Sequence, residues 1–460
     1  VIVQYFKPPG DFFVGDCMPF YHAGVFHLYY LLDEQHHQAL QGLGGHQWAH
    51  ASTTDLVNWQ HHPLALPITA ATEGSICTGT VFFHDGTYYA FYATRTRDWR
   101  QHLSLATSAD GIHFVKQVPD LFAPPQPAYS PFHFRDPLPF QDPQTGLFHL
   151  LVSAQWLEYP LPGRGGCLAH LVSADLARWH LHDPFLIPGF DDVPECSDWF
   201  CWNGWYYLLF SNALTARYRM ARSPLGPWQC PPIDMLDGPL ARVMKTAPFD
   251  GNRRIGVAWL GTRQGESNEG RMQWGGHTLF RELVQHADGT LGCAFLPELQ
   301  PTAGSSLLPA LVAVTPSVRS LGAPGGPLRV QLDSHDGLAV ARCAPVPFNL
   351  RMTLRVSPSG AQGVYGLRLR SDGDYDRAVV LLFRPAEAIV ELGNTAIYGV
   401  CGLDRPFSVE VICREDLIDV CIDGRRCVVN RCPEGRGEQL FFFAQGTAVC
   451  YDPISIQPLL

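Results

Sequence analysis

A chain of 460 residues with 46% apolar side chains has material for two or three domains with substantial cores. Its formal charge is −10, and its lysines and arginines are scattered rather than gathered in a stripe, which excludes the electrostatic attraction that nucleic-acid binding needs. No apolar run approaches the roughly 18 residues of a membrane-spanning helix, so neither nucleic acid nor a bilayer is an expected partner.

Only 17% of the residues are charged, 12% are aromatic, and there are 43 glycines and 38 prolines, which favours many short strands joined by turns. The opening Val1-Ile2-Val3-Gln4-Tyr5 has no signal-peptide character. The 14 cysteines show no CxxC pair and no zinc-finger spacing, and several, such as Cys413, Cys421 and Cys427, fall inside strand-like runs. They read as buried thiols, which places the protein in the cytoplasm; a secreted enzyme with a few disulfides is the alternative.

Along the chain, a glycine turn followed by an aromatic-rich alternating run recurs five times. The copies are centred on Gly24, Gly86, Gly146, Gly204 and Gly251, as in Asp85-Gly86-Thr87-Tyr88-Tyr89 and Asn203-Gly204-Trp205-Tyr206-Tyr207. Each reads as a β-hairpin, and the first four are spaced by about 60 residues. An Asp or Ser turn with a following aromatic punctuates most units, as in Asp55-Leu56-Val57-Asn58-Trp59 and Asp175-Leu176-Ala177-Arg178-Trp179. Five such units, none able to bury both faces alone, predict an all-β five-bladed β-propeller over residues 1–300. Gly- and Pro-rich segments make 301–327 a linker region, and alternating runs such as Val409-Glu410-Val411-Ile412-Cys413 predict a C-terminal β-sandwich over 328–460.

Counting back from the hairpin glycines finds an acid in three units: Asp16, Asp136 and Glu195, at offsets of eight, ten and nine residues. Similar offsets in a repeat predict similar places on the innermost strands, so the three carboxyls are expected to converge on the central funnel. Thr78 holds that place in the second unit. Clustered, desolvated carboxylates repel one another, which keeps one protonated beside an ionised partner, as glycosidic cleavage requires.

These residues carry a family resemblance. Phe134-Arg135-Asp136-Pro137 resembles the Arg-Asp-Pro motif, and Glu195-Cys196-Ser197-Asp198 the Glu-Cys-Pro-Asp motif, of glycoside hydrolase family 32, the invertase, inulinase and levanase family. His46-Gln47-Trp48-Ala49-His50-Ala51, Cys77-Thr78-Gly79-Thr80 and Trp274-Gly275-Gly276 with Arg281-Glu282-Leu283 follow in the family's order. The resemblance implies a propeller with a C-terminal sandwich. It also implies a retaining mechanism, with Asp16 as nucleophile, Glu195 as acid/base and Asp136 holding ring hydroxyls. Arg135, Trp48, His50 and Thr78 are the expected substrate-binding residues. The implied substrate is an oligosaccharide or small furanoside, with no cofactor and no metal; the sequence defines no oligomeric state.

The chain departs from the family around the nucleophile. Where the family has Trp-Met-Asn-Asp-Pro-Asn, this sequence has Phe13-Val14-Gly15-Asp16-Cys17-Met18, and Leu31 and Leu43 stand where a Gln and a Trp are usual. Fewer hydrogen-bonding partners predict altered recognition of the sugar periphery. Two rivals stay open: a fructosyltransferase or anhydride-forming enzyme using the same intermediate, and a propeller that binds glycans without cleaving them.

Overall fold

Each of the five repeats is a hairpin whose glycine takes a positive φ: +80° at Gly24, +75° at Gly86, +73° at Gly146, +77° at Gly204 and +71° at Gly251. Residues with a Cβ are strained there, which is why glycine marks the turns. The computed structural model describes residues 4–117, 126–323 and 325–460. Val1-Ile2-Val3, and Pro324 of the expected linker, lie outside the described residues.

Around the hairpins the chain builds five antiparallel blades. Their innermost strands are Phe12–His22, Glu73–His84, Tyr129–Gln141, Glu195–Trp202 and Arg242–Phe249. Blades 1, 2, 3 and 5 have four strands; blade 4 has three, followed by an isolated backbone bridge between Met220 and Gln229. Alternating side chains leave each blade apolar on both faces, and the cores accordingly lie between blades rather than within them. Met18, Tyr29 and Trp48 pack against Ile76 and Tyr92 between blades 1 and 2. Phe91 and Leu103 meet Phe134 and Leu150 between blades 2 and 3, and Leu138 and Phe140 meet Leu208 and Phe210 between 3 and 4. Tyr207 and Tyr218 meet Ala258 and Leu279 between 4 and 5, while Val14 and Phe26 meet Trp259 and Phe280 where blade 5 closes on blade 1. The ring is complete.

The C-terminal domain is a β-sandwich built on one 20-residue strand, Gln439–Pro458, which serves both layers. Its first part pairs with Val364–Ser371 and its last part with Leu350–Pro358, while Leu328–Ala344 runs along most of it. Within 301–327, expected as a linker, the short strands Ala310–Ala313 and Val318–Leu321 pair with Leu328–Ala344. Their alternation is too short to stand out from the surrounding Gly and Pro residues.

The two domains are joined by a buried ionic knot. Arg281, on blade 5, donates through Nε to Asp237 (2.6 Å) and through Nη1 and Nη2 to Asp419 of the sandwich (2.9 and 2.8 Å), and the Tyr5 hydroxyl donates to Asp419 at 2.8 Å. The Arg281-Glu282-Leu283 motif thus supplies the tie between the domains.

Candidate active site

Every innermost strand carries a β-bulge seven to ten residues before its hairpin glycine. Two residues face one across the pairing: Gly15-Asp16 against Leu31, Cys77-Thr78 against Ala93, Asp136-Pro137 against Val152, Cys196-Ser197 against Phe210, and Val243-Met244 against Ala258. A bulge bends its strand and re-aims its side chains. The backbone turns to φ +55° at Asp136, +52° at Cys196 and +53° at Val243. Relative to these bulges the three acids are staggered rather than equivalent. Glu195 precedes its bulge, Asp136 is first in its own, and Asp16 is second.

All three acids line one cavity of about 230 Å³, together with Arg135 and Thr78. Cys196 sits at their junction. Its backbone N–H donates to Asp136 Oδ2 (3.0 Å) and its thiol to Asp16 Oδ2 (3.5 Å). Asp16 is 8% exposed and also accepts from Thr78 Oγ1 at 2.6 Å and from the Trp259 indole N–H at 2.8 Å. Arg135 donates through Nη2 to Glu195, and its Nε lies 3.7 Å from Asp136 Oδ2. Lys245, also buried, donates to Ser197 O (2.8 Å), Thr80 Oγ1 (3.0 Å) and Gly79 O (3.2 Å), tying blades 2, 4 and 5 together.

Burial pushes the Asp16 carboxyl above the ordinary aspartate range; the Thr78 hydrogen bond opposes this and the neighbouring Asp136 adds to it. Burial likewise raises Glu195, with Arg135 opposing and Asp136 reinforcing. One carboxyl held by three donors and another kept accessible and hard to ionise is the pairing that acid-assisted nucleophilic displacement needs.

Trp48 and His50 are not in the cavity, a correction to the sequence reading. Trp48 is 0% exposed and donates to Cys77 O at 2.9 Å from within the core between blades 1 and 2. His50 is 2% exposed, stacked on Tyr29 and hydrogen-bonded to His27. Two residues apart on one strand, they share a face, and that face looks at the next blade. In their place the cavity is walled by Leu31, His37, His46, Arg95 and Trp274. His37 and His46 belong to the long connection after the second strand of blade 1, and Arg95 to the end of a second strand. None of these places is marked by the repeat. The Trp274 ring stacks on His46 at 4.6 Å. Leu43, placed by the resemblance where a subsite Trp is usual, is buried outside the cavity and lends its carbonyl to Arg95 Nη1 (3.2 Å).

Among the described residues one group is spaced for a cation: Asp33, His37 and His46. His37 Nδ1 is 2.9 Å from His46 Nε2, which is 3.1 Å from Asp33 Oδ1. Arg95 Nη1 donates to His37 Nε2 at 3.2 Å. A guanidinium only donates, so the His37 proton is on Nδ1, the atom a metal would need bare. With that nitrogen donating to His46 Nε2, Asp33 can bond the same atom only as a protonated carboxyl, in keeping with burial that pushes it up to about 7, and the group does not fit a resident metal.

Comparison with known proteins agrees with this architecture. Residues 6–221 match the family described as Glycosyl hydrolases family 32 N-terminal domain. Sucrose-6-phosphate hydrolase of Escherichia coli is 28% identical over 291 residues, 56% of this chain and 57% of that protein. Raffinose invertase of Escherichia coli is 28% identical over 298 residues, 59% of each. The matched region therefore spans less than two thirds of either relative. Fructan 1-exohydrolase IIa from Cichorium intybus superposes with a TM-score of 0.74 at 16% identity, over 100% of this chain and 97% of that one, a likeness of fold. The match, seated on a propeller whose bulged innermost strands gather Asp16, Asp136 and Glu195, identifies residues 6–221 as a glycosyl hydrolases family 32 N-terminal domain.

Proposed function

We propose that this protein is a retaining glycoside hydrolase that cleaves β-fructofuranosides or a related furanoside. Asp16 attacks the anomeric carbon, Glu195 protonates the departing oxygen and then activates water, and Asp136 holds ring hydroxyls. The carrying observation is the meeting of the three carboxyls around Cys196 in one cavity. Thr78, Trp259 and the Cys196 thiol orient the Asp16 carboxylate while leaving it a free lone pair for attack. Arg135 stabilises Glu195 once its proton has gone to the leaving group, and returns it ready to act as base.

A cavity of about 230 Å³ suits a single sugar ring. The 14 free thiols, ten of them buried, support a reducing compartment, and no helix among the described residues is long and apolar enough to cross a membrane.

The test is NMR of reactions with a panel of furanosides. Initial release of sugar in the anomeric form of the substrate, lost in Asp16→Ala, supports the reading; inversion, or turnover unaffected by that substitution, refutes it. The transferase alternative draws on sucrose:sucrose 1-fructosyltransferase of Festuca arundinacea, 30% identical over 141 residues, and predicts oligosaccharide products at high substrate concentration.

A further inference from the structure

Of the two arginines that line the cavity, one has no carboxylate partner among the described residues. Asp16, Thr78, Arg135 and Glu195 are engaged with one another or with Trp259 and Cys196. His37 has both ring nitrogens occupied, by Arg95 and by His46. His46 faces His37 and Asp33 through Nε2, and its Nδ1 is buried without a partner, so neither imidazole has a nitrogen to offer a sugar. Leu31 and Trp274 contribute apolar surface.

Arg95 differs. Its Nη1 is spent on His37 Nε2 and Leu43 O, both at 3.2 Å, which fixes the guanidinium plane. Among the described residues no carboxylate pairs with it; its other neighbour is the Trp99 ring, 5.7 Å away. The Nε–Nη2 edge is therefore a preorganised fork of N–H donors without an acceptor. Such an edge matches two oxygens of a carboxylate or phosphate, whereas a neutral hydroxyl uses only part of it.

We infer that Arg95 reads an acidic group carried on a primary carbon of the furanosyl unit, making the substrate an anionic rather than a neutral furanoside. This rests on the function proposed above for the same cavity. It also accounts for Leu31 in the wall: a charged group held at one corner fixes the ring without a hydrogen-bonding partner at every hydroxyl. Phosphate and carboxylate share the chemistry, and the experiment separates them.

Calorimetric titration of the intact protein with fructose, fructose 6-phosphate and the corresponding 6-carboxylate reads binding without catalysis. Hydrolysis of sucrose is compared with that of sucrose bearing phosphate or carboxylate on the fructosyl C6. The acidic forms are expected to bind and react more tightly than the neutral ones, and whichever of the two is favoured names the anion. Arg95→Met should weaken the acidic forms by about 100-fold, a loss at least about 10-fold larger than that of the neutral ones, with Arg95→Lys between. Melting temperatures of both variants report whether the fold is kept. Equal handling of neutral and acidic sugars by the parent, equal losses for both in Arg95→Met, preference for phosphate on the glucosyl leaving group, or no binding of any acidic form each overturns the inference. Arg95-dependent binding with no hydrolysis of any furanoside leaves it standing while refuting the proposed function.

Discussion

Gly15 and Trp274 compete for one volume. A Cβ built on Gly15 would lie 2.3 Å from Cη2 and 2.7 Å from Cζ3 of the Trp274 ring, so the indole occupies the space into which a side chain at residue 15 would project. The family's Asn at this place and this Trp274 position are mutually exclusive. Leu31 closes the same corner, with its Cβ 3.1 Å from the built atom.

Gly15→Ala is therefore expected to lower stability by about 1–3 kcal/mol through overpacking and to raise KM by displacing the wall. Trp274→Ala in the same chain should recover part of the loss. A coupling energy of about 0.5–3 kcal/mol in a urea-denaturation double-mutant cycle is the expected result, and strict additivity would show that the ring yields freely.

The two shifted carboxyls set the pH profile. In the proposed mechanism Asp16 is ionised to attack and Glu195 protonated to assist, so activity is expected to rise with pH through the first and fall through the second, with both limbs displaced above ordinary carboxylate values. Thr78→Val removes a hydrogen bond that favours ionised Asp16, and should move the acidic limb of kcat/KM upward by about one pH unit. Arg135→Met removes the cation that favours ionised Glu195, and should move the alkaline limb upward while lowering kcat. Limbs that stay in place would reassign both roles.

Much of this arrangement is written in the sequence, and the parts that are not share a cause. The propeller is legible because a turn glycine and an alternating strand recur at blade length, and the three acids because they recur a similar distance before those glycines. Their stagger is hidden, since a bulge adds a residue without changing composition and the hairpins differ in length. Trp48 and His50 show a further limit: strand periodicity says which residues share a face but not whether that face looks into the funnel or at the next blade. Arg95, His37 and Trp274 enter the cavity from a strand end, a long connection and the last blade, where no repeat points.

Buried and half-buried neutral histidines give the fold an acid weakness. Burial pushes His27 down to about 4, His50 to about 2 and His170 to about 3, against about 6.5 in an unfolded chain. Below about pH 6.5 the unfolded chain binds protons that the folded protein refuses, so stability falls as pH falls toward those values, by up to about 1.4 kcal/mol per pH unit for each imidazole. Asp16 and Glu195, raised on folding, work in the opposite sense, their contribution being lost as pH rises through their folded values. Denaturation free energies at pH 7 and pH 5 should differ less in His170→Gln than in the parent; an unchanged difference would remove that residue from the account.

The domain tie offers a test of a different kind. Arg281 and Asp419 are fully buried, and burial pushes the Asp419 carboxyl up to about 6 despite the guanidinium against it. Much of the attraction is thus offset by lost hydration, and the pair specifies the docking geometry more than it adds stability. Removing one partner is another matter, because the other charges stay behind in a dry site. Asp419→Ala should cost about 3–5 kcal/mol. It strips Tyr5 and two guanidinium nitrogens of their acceptor at once, so the loss falls on the interface. We expect the parent to unfold in one calorimetric transition and Asp419→Ala in two, with sandwich and propeller melting apart. A single transition at an unchanged temperature would mean that the apolar contacts of Ile412, Leu417 and Val429 with the propeller hold the domains together without the knot.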